Sequence, residues 1–136
     1  MKLLMIYAER FAYTTAMKTL ESVPDIVEHE SIDQALVGFI HAEAHDEERL
    51  SAVETKLIKQ LKWAARKNET LHIVLHSFAH LSESKASPES TQLLFSRAER
   101  RLVSAGYQVS QTPFGYFLDL DMYAPGTPSA RIFKDI

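Results

Sequence analysis

Apolar and β-branched residues form short continuous runs at three places in the chain, residues 2–8, 35–40 and 71–76. Runs of this length without polar alternation are typical of strands that are buried on both faces of a sheet. We therefore expect three buried strands. Residues 9–24 are ambiguous, although their aromatic residues and threonines favour extended structure. Gly38, inside the second run, indicates a bulge or the close approach of another element.

Two other segments repeat apolar residues every three or four positions, which is the period of an amphipathic helix. Ser51 and Glu54 have the spacing of a capping box at the start of the first helix, and Asn68 is its expected end. Ser87-Pro88 supplies an N-cap and a first-turn proline to the second helix, which Gly106 ends. The buried stripe of the first helix should consist of Leu50, Val53, Leu57, Leu61 and Ala64.

Strands are also expected at residues 107–109 and 116–122, and the second of these alternates as a half-exposed strand does. Residues 125–128 form a turn, and residues 129–136 are too short to assign. The order of elements predicts an α/β (α+β) protein with a mixed sheet and two main helices. Because no repeat or linker is present, we expect residues 1–136 to form a single domain.

The composition favours an ordinary globular protein, since 46% of the 136 residues are hydrophobic and 24% are charged. No apolar run approaches the roughly 20 residues that a membrane helix needs, so we expect no membrane partner. The chain has no cysteine, which excludes disulfides and thiolate chemistry and is compatible with a cytoplasmic location.

The net charge of -3 conceals an uneven distribution. Residues 21–54 contain ten acidic residues and one basic residue, whereas residues 55–106 contain nine basic and four acidic residues. A nucleic acid would therefore have to approach the second half of the chain. The alternative is that these charges are solvated faces of helices.

Histidines recur at every fourth position at His72, His76 and His80, and His41 and His45 share that spacing. On a helix such a pair can bind zinc, but this segment is too β-branched to be helical. On a strand, His72 and His76 lie about 13 Å apart, too far for one metal ion. We expect neither a metal nor a cofactor, a partly buried polar role for His72 and a pocket role for His80.

Two loops are the best candidates for a site, because each lies at the end of an expected strand. Residues 77–81 follow the third apolar run, and residues 112–117 end another strand in the same style. Sites in α/β proteins form where strands deliver loops to a sheet edge, so we expect both loops to face one pocket. The alternative for residues 113–116 is a tight turn with core aromatics.

The residues Ser77-Phe78-Ala79-His80-Leu81-Ser82 and Thr112-Pro113-Phe114-Gly115-Tyr116 resemble two motifs of the N-terminal editing domain of archaeal-type threonyl-tRNA synthetase. The family motifs are P-F-A-H-L-S and A-P-F-G-Y-Y-K. The resemblance extends along the chain, with residues 3–6 matching the family's first strand and residues 36–40 its L-V-A-F-I. It implies a D-aminoacyl-tRNA deacylase-like fold and hydrolysis of seryl-tRNA mischarged for threonine, which is second-sieve editing.

The resemblance also implies the residues and partners of the site. His80 would be catalytic by this resemblance, and we expect Arg131, although it departs from the family, to be catalytic as well by restoring a positive charge from another direction. The partners would be the aminoacyl-adenosine end of tRNA, a second copy of the chain in a homodimer and, for a freestanding protein, a separate synthetase. The substrate would be bound by Ala42, Ser77, Phe78, Ala79, Phe114, Gly115, Tyr116 and Phe117.

The chain departs from the family at several positions. Leu118 stands where the family has a lysine held to position or activate water, and Arg131 stands where it has a glutamate. Phe117, Ser77 and Tyr7 replace a tyrosine, a proline and a histidine. Leucine cannot donate a hydrogen bond or carry charge, so the departures favour a second hypothesis, an inactive module that binds aminoacyl-tRNA or adenosine. A third is an unrelated small-molecule enzyme on the same fold.

Overall fold

The computed structural model describes all 136 residues, which form six strands, two helices and two short 3₁₀ turns. The helices are α1 (Leu50–Lys67) and α2 (Pro88–Ser104), and the turns cover Ala44–Arg49 and Pro128–Ala130. The strands are β1 (Lys2–Lys18), β2 (His29–His41), β3 (His72–Ser77), β4 (Gln108–Gln111), β5 (Tyr116–Tyr123) and β6 (Arg131–Asp135). The expected elements are all present, residues 9–18 of the ambiguous segment continue β1, and residues 131–135 of the unassigned end form β6.

The predicted mixed sheet is present, and it contains all six strands. Its order is β4-β3-β2-β1-β5, and β6 pairs with the first half of β1. The pairs β2–β3 and β3–β4 are parallel, and the pairs that involve β1 are antiparallel. Because α1 and α2 return the chain between parallel strands, the carboxyl ends of β2, β3 and β4 lie at the same edge.

Both faces of the sheet are buried at the end of β2 and in β3, which explains why these two strands contain continuous apolar runs. The helices cover one face, where Leu57 and Leu61 of α1 and Leu94 and Leu102 of α2 are fully buried. The other face is closed by the sheet's own curl, because the second half of β1 and β5 pack over β2 and β3. That second cluster contains Ala8, Phe11, Tyr13, Ala35, Val37, Phe39 and Val74.

The capping box expected at Ser51 is wrong. Helix α1 begins one residue earlier, and Ser51 makes no capping hydrogen bond. The side chain of Glu54 is instead buried between the helices, where its carboxylate lies 2.6 Å from Arg97 and 2.7 Å from Arg101. A tertiary ion pair with two α2 guanidinium groups has therefore replaced the local bond to the helix terminus.

The other local signals are confirmed. Ser87 Oγ accepts a hydrogen bond from the Ser90 amide at 3.1 Å, Asn68 is the C-cap of α1, and Gly106 has a φ of +97°. A Cβ at Gly38 would lie 3.0 Å from Leu61 Cδ2, so this glycine allows α1 to approach the sheet. Neither helix is long and apolar enough to cross a membrane.

Candidate functional site

A cavity of about 390 Å³ opens at the sheet edge where the parallel strands end. We call it the edge cavity. Residues 77–80, which follow β3, and residues 113–118, which follow β4, line it together. The prediction that the two loops face one pocket is therefore confirmed. The volume lies within the range of small-molecule sites, and the lining is mostly apolar with a few polar groups.

All but one of the sequence-predicted site residues line the edge cavity. The exception is Arg131, and its expected place in the pocket is wrong. Arg131 is exposed at the start of β6, where it pairs with Ile6 of β1 outside the cavity. The residues that do line the cavity are Ala42, Ser77, Phe78, Ala79, His80, Phe114, Gly115, Tyr116 and Phe117.

The loop that carries His80 is anchored to the end of β2. His41 Nε2 lies 2.7 Å from the Ser84 carbonyl oxygen, and His41 Nδ1 accepts from the Leu81 amide at 3.0 Å. Since Nδ1 accepts, the proton lies on Nε2 and is donated to Ser84. The buried His41 therefore ties two points of the loop to one ring.

Glu43 provides a second anchor for the same loop. Its carboxylate accepts a 2.7 Å hydrogen bond from Ser82 Oγ and lies 3.0 Å from the Met1 ammonium group. Burial by itself would raise the pKa of Glu43, but these two contacts outweigh it and lower the pKa to about 2. The loop is therefore held by a carboxylate that is ionised at neutral pH.

Aromatic rings form a continuous series from the core to the cavity mouth. The Phe39 and Phe78 centroids are 5.2 Å apart with an edge-to-face angle of 84°, and Phe78 and His80 are 4.8 Å apart. His80 then stacks on Phe117 of β5, with centroids 5.8 Å apart and planes 24° apart. The exposed His80 ring thus has one face covered by Phe117.

The β1–β2 loop (residues 19–28) forms the opposite wall. Gly115 has a φ of +81°, and its carbonyl accepts a 2.7 Å hydrogen bond from the Thr19 amide. The hydroxyl of Tyr116 accepts from the Ile26 amide at 2.9 Å and donates to the Pro24 carbonyl at 2.8 Å. Tyr116 therefore lines the cavity with its ring while its hydroxyl group holds the β1–β2 loop.

Several lining residues were not predicted, among them Thr19, His41, His76 and Lys85. Lys85 is the only lysine or arginine that lines the cavity, and it is exposed. The sequence showed the histidine spacing but not which rings turn towards the pocket. Leu118 also lines the cavity, so an apolar side chain occupies that part of the wall.

The spaced histidines His72 and His76 each form a hydrogen bond to a side-chain hydroxyl group. His72 Nε2 bonds to Ser110 Oγ at 2.8 Å, and burial lowers the pKa of His72, which agrees with the partly buried polar role expected for it.

His45, which shares the spacing with His41, lies beside Glu43 and Asp46, and the donor atoms of these three residues are within 4.8 Å of one another. The Met1 ammonium group lies 3.0 Å from both carboxylates, and each carboxylate has a second cationic neighbour, Lys2 at 3.7 Å from Glu43 and Arg49 at 3.3 Å from Asp46.

Comparison with known families places the whole chain in one of them. The family model described as the archaea-specific editing domain of threonyl-tRNA synthetase matches residues 1–136. Threonine–tRNA ligase of Methanosphaera stadtmanae is 30% identical over 138 residues, which cover 100% of this chain and 22% of that ligase. The enzyme of Methanosphaerula palustris is also 30% identical, over 100% of this chain and 22% of its own length.

The chain thus spans about a fifth of the length of these curated relatives. Among solved structures, the c-Myc DNA Unwinding Element Binding Protein superposes with a TM-score of 0.69 over 100% of this chain and 99% of that chain. At 12% sequence identity this likeness concerns the fold alone. The expected D-aminoacyl-tRNA deacylase-like fold, a curled mixed sheet with two helices, is confirmed.

Proposed function

The chain belongs to the family of archaea-specific editing domains of threonyl-tRNA synthetase, and from this premise we propose that it hydrolyses mischarged aminoacyl-tRNA in the edge cavity. The substrate that fits best is seryl-tRNA made for threonine. One observation carries the proposal: the two motifs that resemble the family, separated by 29 residues, line one cavity.

The lining of the cavity suits the aminoacyl end of a tRNA. Phe78 and Phe117 offer flat faces on which an adenine ring can stack. The small side chains of Ala42 and Ala79 leave space for a short aminoacyl group. Discrimination of serine from threonine by one methyl group in a single site is limited to roughly 10–200-fold, which is why a second hydrolytic site is useful.

Hydrolysis requires water to attack the acyl carbon and the bond from that carbon to the ribose oxygen to break. The water oxygen stays with the amino acid, one water proton is lost, and the ribose oxygen gains a proton. His80 lies at the cavity mouth with an exposed ring, so it is the group we assign to move this proton. The backbone amides of Ala79, His80, Phe114 and Gly115, which make no hydrogen bond within the protein, would hold the ester and stabilise the oxyanion.

The direct test follows loss of the ester from seryl-tRNA for threonine, with correctly charged threonyl-tRNA as the comparison. We expect wild-type protein to release serine well above the rate in buffer, and His80→Ala to lose on the order of 10²-fold. His29→Ala is the matched control, because His29 is an exposed histidine outside the cavity. Buffer-level release with retained tRNA binding would leave the inactive binding module.

We also propose the partners and setting in which the domain works. Residues 1–136 would act as one domain that takes its substrate in the cytoplasm, where aminoacyl-tRNA is used, and a separate synthetase would supply tRNA affinity if the chain works alone. A homodimer would cover the outer edges of β4 and β5, since unpaired edges favour association. Light scattering across a concentration series should give twice the 15.4 kDa chain mass.

A further inference from the structure

His76 is a polar side chain enclosed by aromatic rings at the inner wall of the edge cavity. It is 5% exposed, and its ring centroid lies 5.2 Å from Phe39, 5.8 Å from Phe78 and 6.4 Å from Phe11. Its Nδ1 atom lies 2.8 Å from the Oγ1 atom of the buried Thr112, which follows β4. The ring is therefore fixed in orientation by packing and by one hydrogen bond.

The hydrogen bond also fixes which ring nitrogen carries the proton. Thr112 Oγ1 has no other hydrogen-bond partner, so its buried hydroxyl proton is satisfied only if it is donated to His76 Nδ1. A neutral imidazole whose Nδ1 accepts must carry its proton on Nε2. His76 Nε2 has no hydrogen-bond partner in the protein. Unlike Glu43 Oε1 and Glu54 Oε1, this atom is not fully enclosed. Since His76 lines the edge cavity, its Nε2–H can reach a ligand there.

The charge state of His76 suits a donor better than an acid. Burial, followed by the nearby His80, lowers the pKa of His76 to about 4, so the ring is neutral at physiological pH. A neutral donor in a poorly hydrated site can bind an ester oxygen without the cost of desolvating an ion. The hydrogen bond becomes stronger as negative charge develops on that oxygen.

We propose that His76 donates its Nε2–H to an oxygen of the aminoacyl ester bound in the edge cavity, and that Thr112 is the positioning residue that holds this tautomer. The inference rests on the proposed hydrolytic function and adds a donor to it. His80 would move protons at the mouth, while His76 would bind oxygen at the inner wall.

Kinetic variants test the donor. His76→Phe keeps an aromatic ring among aromatic neighbours but removes the donor, so we expect kcat to fall about 10²–10³-fold, as when an oxyanion-hole donor is removed. Thr112→Val keeps the shape of the side chain but cannot donate a hydrogen bond to His76 Nδ1, so kcat should fall by a smaller factor. Thr112→Ser keeps the hydroxyl group and should restore kcat. Wild-type kcat in a folded His76→Phe variant, with active wild-type enzyme, would overturn the inference.

Nuclear magnetic resonance of the wild-type protein tests the tautomer without relying on any variant to fold. Long-range ¹H–¹⁵N spectra of the His76 ring should show the Nε2–H form at pH 7, and addition of 3′-deoxy-3′-seryl-aminoadenosine, a non-hydrolysable analogue, should shift its Nε2 resonance. An Nδ1–H ring, or no shift on saturation, would overturn the inference. If the wild type releases no serine, the proposed function fails, and these spectra still decide the inference.

Discussion

Substitution of Gly115 by alanine would test how the two walls of the edge cavity fit together. Gly115 has a φ of +81°, and an alanine there costs about 1–2 kcal/mol through contact of its Cβ with the backbone. The new Cβ would also lie 2.9 Å from Val23 Cγ1 and 3.3 Å from Leu20 Cδ1. Val23 is branched and held in the β1–β2 loop, so relief of this overlap requires movement of the loop at a cost of about 1–3 kcal/mol.

The matched control is Gly106→Ala. Gly106 has a φ of +97°, but a Cβ there would meet no atom within 4 Å. It carries a comparable backbone strain without the overlap, so Gly106→Ala should lose only about 1–2 kcal/mol in free energy of unfolding. Gly115→Ala should lose about 2–5 kcal/mol in total.

The assay is urea unfolding of both variants and the wild type, followed by circular dichroism. Because the β1–β2 loop supplies Thr19 and Leu20 to the cavity, Gly115→Ala should also raise KM for seryl-tRNA, whereas Gly106→Ala should not. Equal destabilisation of the two variants would refute the fit between Gly115 and Val23.

Three further results are expected. The pKa of His76 falls from 6.5 to about 4 on folding, so the unfolded chain binds more protons than the folded chain between these pH values. The contribution of His76 to the free energy of unfolding is therefore complete above pH 6.5, and about 3 kcal/mol of it is lost as the pH falls to 4. Urea unfolding at several pH values should show this loss, and His76→Phe should remove it. Tyr116→Phe removes both hydrogen bonds between the Tyr116 hydroxyl group and the β1–β2 loop, and it should cost about 1 kcal/mol while speeding proteolysis at residues 19–28. Lys85→Met should weaken tRNA binding and reduce the salt dependence of binding by about one phosphate contact. Arg131→Met, which lies outside the cavity, should leave kcat/KM within about twofold of the wild-type value.

Much of the fold could be predicted because its signals are local. The apolar runs of β1, β2 and β3 reflect burial on both sheet faces, and the Ser87 cap and Gly106 stop depend on adjacent residues alone. The capping box expected at Ser51 is absent because the Glu54 carboxylate is stabilised more by two guanidinium groups of α2 than by the amide groups of a helix terminus. No local pattern contains that tertiary contact.

The edge cavity was predictable only in part. The motifs around His80 and Gly115 located two of its walls, but the curl of the sheet brings in the β1–β2 loop, and sequence pattern does not specify curl. Arg131 was assigned to the pocket by its distance from a turn, whereas pairing of β6 with the first half of β1 carries it away. Thr112 belongs to the second motif, but its hydrogen bond to His76 depends on the parallel pairing of β3 and β4, which the motif does not reveal.

The central claim is that the edge cavity binds the aminoacyl end of tRNA. The most direct measurement is a ¹H–¹⁵N titration of the amide resonances with the non-hydrolysable 3′-deoxy-3′-seryl-aminoadenosine. We predict saturable shifts concentrated in residues 77–81 and 113–117 and in the β1–β2 loop. Saturable shifts confined to surfaces away from these segments, or no binding at millimolar analogue, would contradict the claim.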